Sequence, residues 1–140
     1  MKISRREILT GGGVPCSLAA AIKVGVGQQA SFAHYGKLAA RTANAGECDL
    51  CGAAAVPLGV FTDVSPKGDS GTVETTGFVD VKIADSSTVA VGGFVTPAAG
   101  GLVAKIAGAA PTLAELTAGV WQVDSIVDAT TIQIQIDARL

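Results

Sequence analysis

The hydrophobic and polar positions of this 140-residue chain are most regular over residues 72–84, where Val73, Thr75, Gly77, Val79, Val81 and Ile83 alternate with Glu74, Thr76, Phe78, Asp80 and Lys82. A repeat of two puts successive side chains on opposite faces, so this run predicts one half-buried β-strand with a bulge at Gly77. The turn before it, Ser65-Pro66-Lys67-Gly68-Asp69-Ser70-Gly71, supplies the fixed φ of proline and the positive φ of glycine that a tight reversal needs. With Pro57-Leu58-Gly59-Val60-Phe61 as its first strand, it predicts an antiparallel hairpin. Residues 89–95 and 102–106, joined by Pro97-Ala98-Ala99-Gly100-Gly101, predict a second. Residues 120–127 and 131–136 predict a third pair, with Ile132, Ile134 and Ile136 alternating against Gln133, Gln135 and Asp137. Thr112 with Glu115 three residues on has capping-box spacing, so residues 111–116 predict a short helical turn. Short strands at this spacing predict an all-β, mainly antiparallel fold, a compact β-sandwich or a small β-barrel.

The first 56 residues show no such period. Residues 1–25 combine a basic start with glycines and alanines and predict an extended N-terminal arm, interrupted at most by a short helix over residues 18–22. Residues 26–56 predict an irregular Ala/Gly-rich segment with a helical turn over residues 37–41. The chain divides on sequence into the arm 1–25, the irregular segment 26–56 and a β-rich domain 57–140.

Composition adds a constraint. The apolar residues are mostly Ala, Val and Ile, and the aromatics number only Phe32, Phe61, Phe78, Phe94, Tyr35 and Trp121. At about 25 cal/mol per Å² of buried apolar area, small side chains build a thin core, and association with another surface supplements it. Charge is distributed unevenly. Through residue 41, Lys2, Arg5, Arg6, Lys23, Lys37 and Arg41 face only Glu7, a net of +5, whereas beyond it four basic residues face eleven acidic ones, a net of −7. Such a leader suits docking on an acidic partner, and it equally suits a solvated tail.

Ser4-Arg5-Arg6-Glu7-Ile8-Leu9 matches the twin-arginine export pattern, with small residues around Ser31-Phe32-Ala33 as a cleavage site. Gly11-Gly12-Gly13, Pro15 and Lys23 break the apolar region that such a signal requires, which leaves an exported bacterial surface or periplasmic β-protein as an alternative. No stretch reaches the roughly 18 to 20 consecutive apolar residues of a membrane helix, so a soluble chain without a membrane partner is expected.

Cys48-Asp49-Leu50-Cys51 is a lone Cys-x-x-Cys. With Cys16 and His34, the only histidine, it makes an irregular zinc set, and it does not open a helix after a strand as a redox motif does. The three cysteines read as ordinary thiols in a loop. Cys48 and Cys51 are the residual metal or disulfide candidates, and no cofactor is expected.

No nucleophile elbow accompanies His34, and Asp80 with Asp85, or Asp124 with Asp128, reads as solvated surface charge. The glycine-rich pieces lack the lysine of a phosphate-binding loop, and an acidic domain excludes the usual nucleic-acid footprint. The expectation is a non-enzymatic protein that works by binding other proteins.

The order of elements over residues 56–140 resembles the capsid cement, or head decoration, proteins of tailed phages. The likeness rests on Pro57-Leu58-Gly59-Val60, the Gly68-Asp69 turn, Thr72-Val73-Glu74-Thr75-Thr76-Gly77-Phe78-Val79, Val91-Gly92-Gly93-Phe94-Val95-Thr96-Pro97, and Trp121-Gln122-Val123 with the closing strand over residues 132–136. The long basic leader and the two clustered cysteines depart from the family pattern. The resemblance implies a homotrimer on the outer surface of an icosahedral capsid, bridging major capsid protein subunits. A head fibre or other appendage subunit is the neighbouring alternative. Lys2, Arg5 and Arg6 are then the candidate capsid contacts. Phe78, Phe94 and Trp121 are candidate subunit-interface anchors, a role that competes with simple core packing.

Overall fold

A computed structural model describes residues 13–137. The fold is all-β. Strands β1 (Gly13–Leu18), β2 (Leu38–Arg41), β3 (Glu47–Leu50), β4 (Gly59–Val64) and β5 (Ser70–Glu74) form a closed barrel in the order β1-β3-β2-β4-β5. Strand β1 pairs with β5 from Gly13↔Glu74 to Ser17↔Ser70, which closes the ring. Its contact with β3 is the parallel one, and the other barrel pairs are antiparallel. A second sheet has the order β6-β10-β9-β7-β8, from β6 (Thr76–Lys82), β7 (Phe94–Pro97), β8 (Val103–Lys105), β9 (Trp121–Asp128) and β10 (Thr131–Asp137). One short helix, α1 (Leu113–Ala118), precedes β9.

The local signals act as sequence reasoning expects in the C-terminal half. The β4–β5 hairpin closes through Ser65 N–H to the Ser70 carbonyl at 2.8 Å. Gly68 sits at φ +76°, and a Cβ there would lie 2.2 Å from the Val24 carbonyl oxygen, so both conformation and space demand glycine. The second and third hairpins appear as β7–β8 and β9–β10. The capping box is complete: Thr112 Oγ1 accepts from Glu115 N–H at 3.2 Å, and Glu115 Oε1 accepts from Thr112 N–H at 2.8 Å.

Two expectations are corrected here. The run over residues 72–84 is not one strand: it breaks at Thr75, so that β5 completes the barrel and β6 enters the second sheet. Val73, Thr75, Val79, Val81 and Ile83 are all buried, so the alternation held across the break. Gly77 takes φ +103° yet stays in register opposite Ile136, without a bulge.

The second correction concerns the first 56 residues. Residues 13–18 form β1 instead of continuing an arm, and residues 38–41 are a strand, not a helical turn. The supposedly irregular segment contributes β2 and β3 to the barrel, so the barrel spans the expected boundary at residue 57.

The missing period has a physical cause. Leu38 and Val60 pack in a core with Val79, Val81, Val95, Trp121, Val123, Ile132, Ile134 and Ile136, while their neighbours Ala39 and Phe61 pack in the barrel interior with Cys16, Leu18, Cys48 and Val73. A strand buried on both faces reads as a short apolar run and not as an alternation. The expected short helix is a 3-10 turn over Ala20–Ile22.

Ile134 is fully buried in the core between the sheets, and its truncation leaves a cavity there. Ile134→Ala is expected to lower unfolding free energy by about 2–5 kcal/mol in urea titrations. Phe78→Ala, at an exposed site, is expected to change it by no more than about 0.5 kcal/mol.

Candidate protein-binding face

Strand β9 divides its pairing. From Asp128 to Val123 it runs along β10, whereas Gln122 and Trp121 pair with Phe94 and Val95 of β7. Strand β10 continues past that point, and among the described residues its Gln135, Ile136 and Asp137 pair only with β6. The two strands therefore part beyond Ile134↔Val123. The parting contributes to a groove of about 610 Å³ lined by Val56, Phe78, Leu116, Trp121, Asp124 and Gln135, among others.

Several of these side chains are apolar and uncovered. Phe78 is 56% exposed, Leu116 58% and Val56 51%. Leu113, on the same short helix as Leu116, is also exposed. Phe78 additionally borders a smaller hollow of about 150 Å³ that includes Tyr35, Thr62, Glu74, Asp80 and Gln133. Oxygen Oε2 of Glu74 is enclosed and has no hydrogen-bond partner. No lysine, arginine or histidine lines either hollow among the described residues.

The residues singled out on sequence are distributed unevenly. Phe78 and Phe94 are exposed, Phe94 opposite Gln122 on the outer face of the sheet. Trp121, only 7% exposed, belongs to the core and also lines the groove. Lys2, Arg5 and Arg6 lie outside the described residues. Sequence reasoning did not single out Leu116, Val56 or Glu74, and it read Asp124, with Asp128, as solvated surface charge. For Leu116 a signal existed, because Leu113 and Leu116 share one side of a six-residue helix with little to cover them. Val56 and Glu74 carry no local signal; the packing of β5 and of the segment before β4 against the second sheet brings them to the face.

The thiols and the histidine are structural. Cys48 lies in strand β3, not in a loop, whereas Cys51 lies in the connection just after it, and all three cysteines are buried and unbridged. An odd separation along extended chain points them to opposite faces: Cys48 joins Cys16 in the barrel, and Cys51 packs in the other core. Burial raises the Cys16 thiol pKa, reinforced by its hydrogen bond with Cys48. Burial pushes the Cys51 thiol up to about 11. No group of three or more metal-ligating side chains occurs among the described residues.

His34 meets Phe32 edge-on, with ring centroids 5.5 Å apart, and its Nε2–H donates to the Ile22 carbonyl at 3.0 Å. Its Nδ1 is enclosed without a partner, and burial holds its pKa below the usual histidine value despite the Ile22 bond.

No protein-family model matches the chain, and no curated protein matches it.

Two outcomes follow from the buried groups. A disulfide-forming thiol reagent at pH 8 is expected to leave all three cysteines unmodified in the folded chain within minutes and to titrate all three in denaturant, with the melting temperature unchanged by a zinc chelator. For His34, the folded pKa lies below the unfolded value, so between the two the unfolded chain binds the proton more readily. Its contribution is complete above about pH 6.5 and declines as pH falls through that window. Melting temperatures are expected to drop between pH 7 and pH 5.5, and His34→Gln should flatten that slope.

Proposed function

We propose that this chain is a structural, non-enzymatic protein that works by binding other proteins, as a decoration protein on the outer surface of a phage capsid. The observation that carries the binding role is the set of uncovered apolar side chains, Phe78, Leu116 and Val56, around an open groove. Large apolar side chains left exposed around a groove mark a place where a partner can make contact. The order of sequence phrases over residues 56–140 directs the reading to capsid cement proteins. Its partners are then the major capsid protein and further copies of itself, as a homotrimer.

Cementing needs no catalytic group. A protein that buries surface shared among several shell subunits stabilises the shell by mass action, and several simultaneous contacts slow its release. Lys2, Arg5 and Arg6 belong to this proposal as capsid contacts, because a basic leader gains affinity from acidic partner surface. A second reading, an exported surface or periplasmic β-protein, draws on Ser4-Arg5-Arg6.

Co-sedimentation with expanded phage heads assembled without this protein tests the proposal. Saturable binding at a fixed copy number with heat-resistant heads is expected, and Arg5→Ala with Arg6→Ala should weaken it. Absence of binding, together with a mature N-terminus beyond residue 31, would replace it by the exported reading.

A further inference from the structure

The groove opens beside the point where the chain enters the described fold. Gly13, the first residue of β1, pairs with Glu74 at the end of β5. Phe78 stands four positions further along the run that leads from β5 into β6, and both it and Gln135 opposite it line the groove. At about 3.3 Å per residue that separation is about 13 Å. Residues 5–9 precede Gly13 by four to eight positions, a reach of about 13–29 Å in extended chain. They can therefore reach Phe78 from Gly13.

The composition of this leader complements the groove. Ile8 and Leu9 are adjacent aliphatic side chains, and Gly11 and Gly12, between them and β1, let the backbone reverse without steric cost. Lys2, Arg5 and Arg6 stand against Glu7 alone. On the fold, Asp124 lines the groove and Glu74 and Asp80 line the hollow beside it, with no cationic side chain among the described lining residues. Opposite charges fix the orientation of such a contact. A tethered segment also needs little intrinsic affinity, because a short linker holds it at an effective concentration of about 1 mM.

We infer that residues 5–9 of the chain's own leader dock in this groove in the free protein. Ile8 and Leu9 cover Phe78, Leu116 and Val56, and Arg6 pairs with Asp124. The contact removes from water the apolar side chains left exposed around the groove. A partner reaches the groove by drawing the leader off it, which also frees Arg5 and Arg6 to meet that partner. This last step rests on the reading of the chain as a protein-binding protein and adds a regulatory contact to it.

The full chain and its Ile8→Ser, Leu9→Ser variant are each titrated into a fluorescein-labelled peptide of residues 2–10, Lys-Ile-Ser-Arg-Arg-Glu-Ile-Leu-Thr, while anisotropy is followed. A tethered competitor at about 1 mM weakens a peptide contact of about 0.1 mM about tenfold, so the variant is expected to bind the peptide about tenfold more tightly than the parent. Phe78→Ser with Leu116→Ser, added to that variant, should abolish the binding. Both side chains are exposed, and circular dichroism checks that the fold is kept. Asp124→Asn in the same background should weaken binding about threefold, the worth of an exposed ion pair.

Equal affinity in parent and variant, no binding to the variant, or binding that survives the groove substitutions overturns the inference. Unchanged affinity in Asp124→Asn overturns the pairing with Arg6. Self-association of the parent in sedimentation velocity that the Ile8→Ser, Leu9→Ser variant loses would assign the groove to the leader of a second copy, which overturns docking within one chain. Head binding with equal peptide affinities defeats this inference alone, and the tenfold difference without head binding defeats the capsid reading alone.

Discussion

The architecture depends on one wall that is buried twice. Strands β2 and β4 send Leu38 and Val60 into the core shared with the second sheet, and Ala39 and Phe61 into the barrel. Each face removes apolar surface from water, and each depends on the same short backbone holding its register. Gly59, at the start of β4, shows how close this packing is: a Cβ there would lie 2.1 Å from the Glu74 carbonyl oxygen. A thin supply of large side chains suffices because the same strands serve two cores.

The second sheet inherits its uncovered face from that arrangement. Its inner side chains, Val79, Val81, Ile132, Ile134 and Ile136, are committed to the barrel wall. Strand β9 lies between β10 and β7, pairing with β10 from Asp128 to Val123 and with β7 at Gln122 and Trp121. Past Ile134↔Val123, Phe78 and Leu116 border the groove.

The groups with the greatest chemical potential are spent on packing. The cysteines are divided between the cores, and His34 is held by the Ile22 carbonyl beside Phe32 and Phe61. Surface carboxylates instead finish local structure: Asp85 accepts from the Ser87 N–H, and Asp128 from the Thr130 N–H. Both are held below the usual carboxylate range by those bonds, led by the Ser87 side chain at Asp85 and the Thr130 backbone at Asp128. Such roles fit a chain whose proposed work is contact and not turnover.

The sequence by itself determined the elements whose signals are local. The turn at Gly68, the Thr112–Glu115 capping box and the alternation through Ile132, Ile134 and Ile136 each follow from residues within a few positions of one another. Tertiary structure alone decided the rest. Leu38 and Ala39 form a strand because each has a different core to enter, Cys48 and Cys51 part because extended chain turns odd neighbours apart, and the strand break at Thr75 directs one alternating run into two sheets. The candidate face was half legible, through Phe78 and Trp121. Its carboxylates come together from β5, β6 and β9, and β9 parts from β10 beyond Val123 among the described residues, because nothing in a strand's own residues states which partner it will meet or leave.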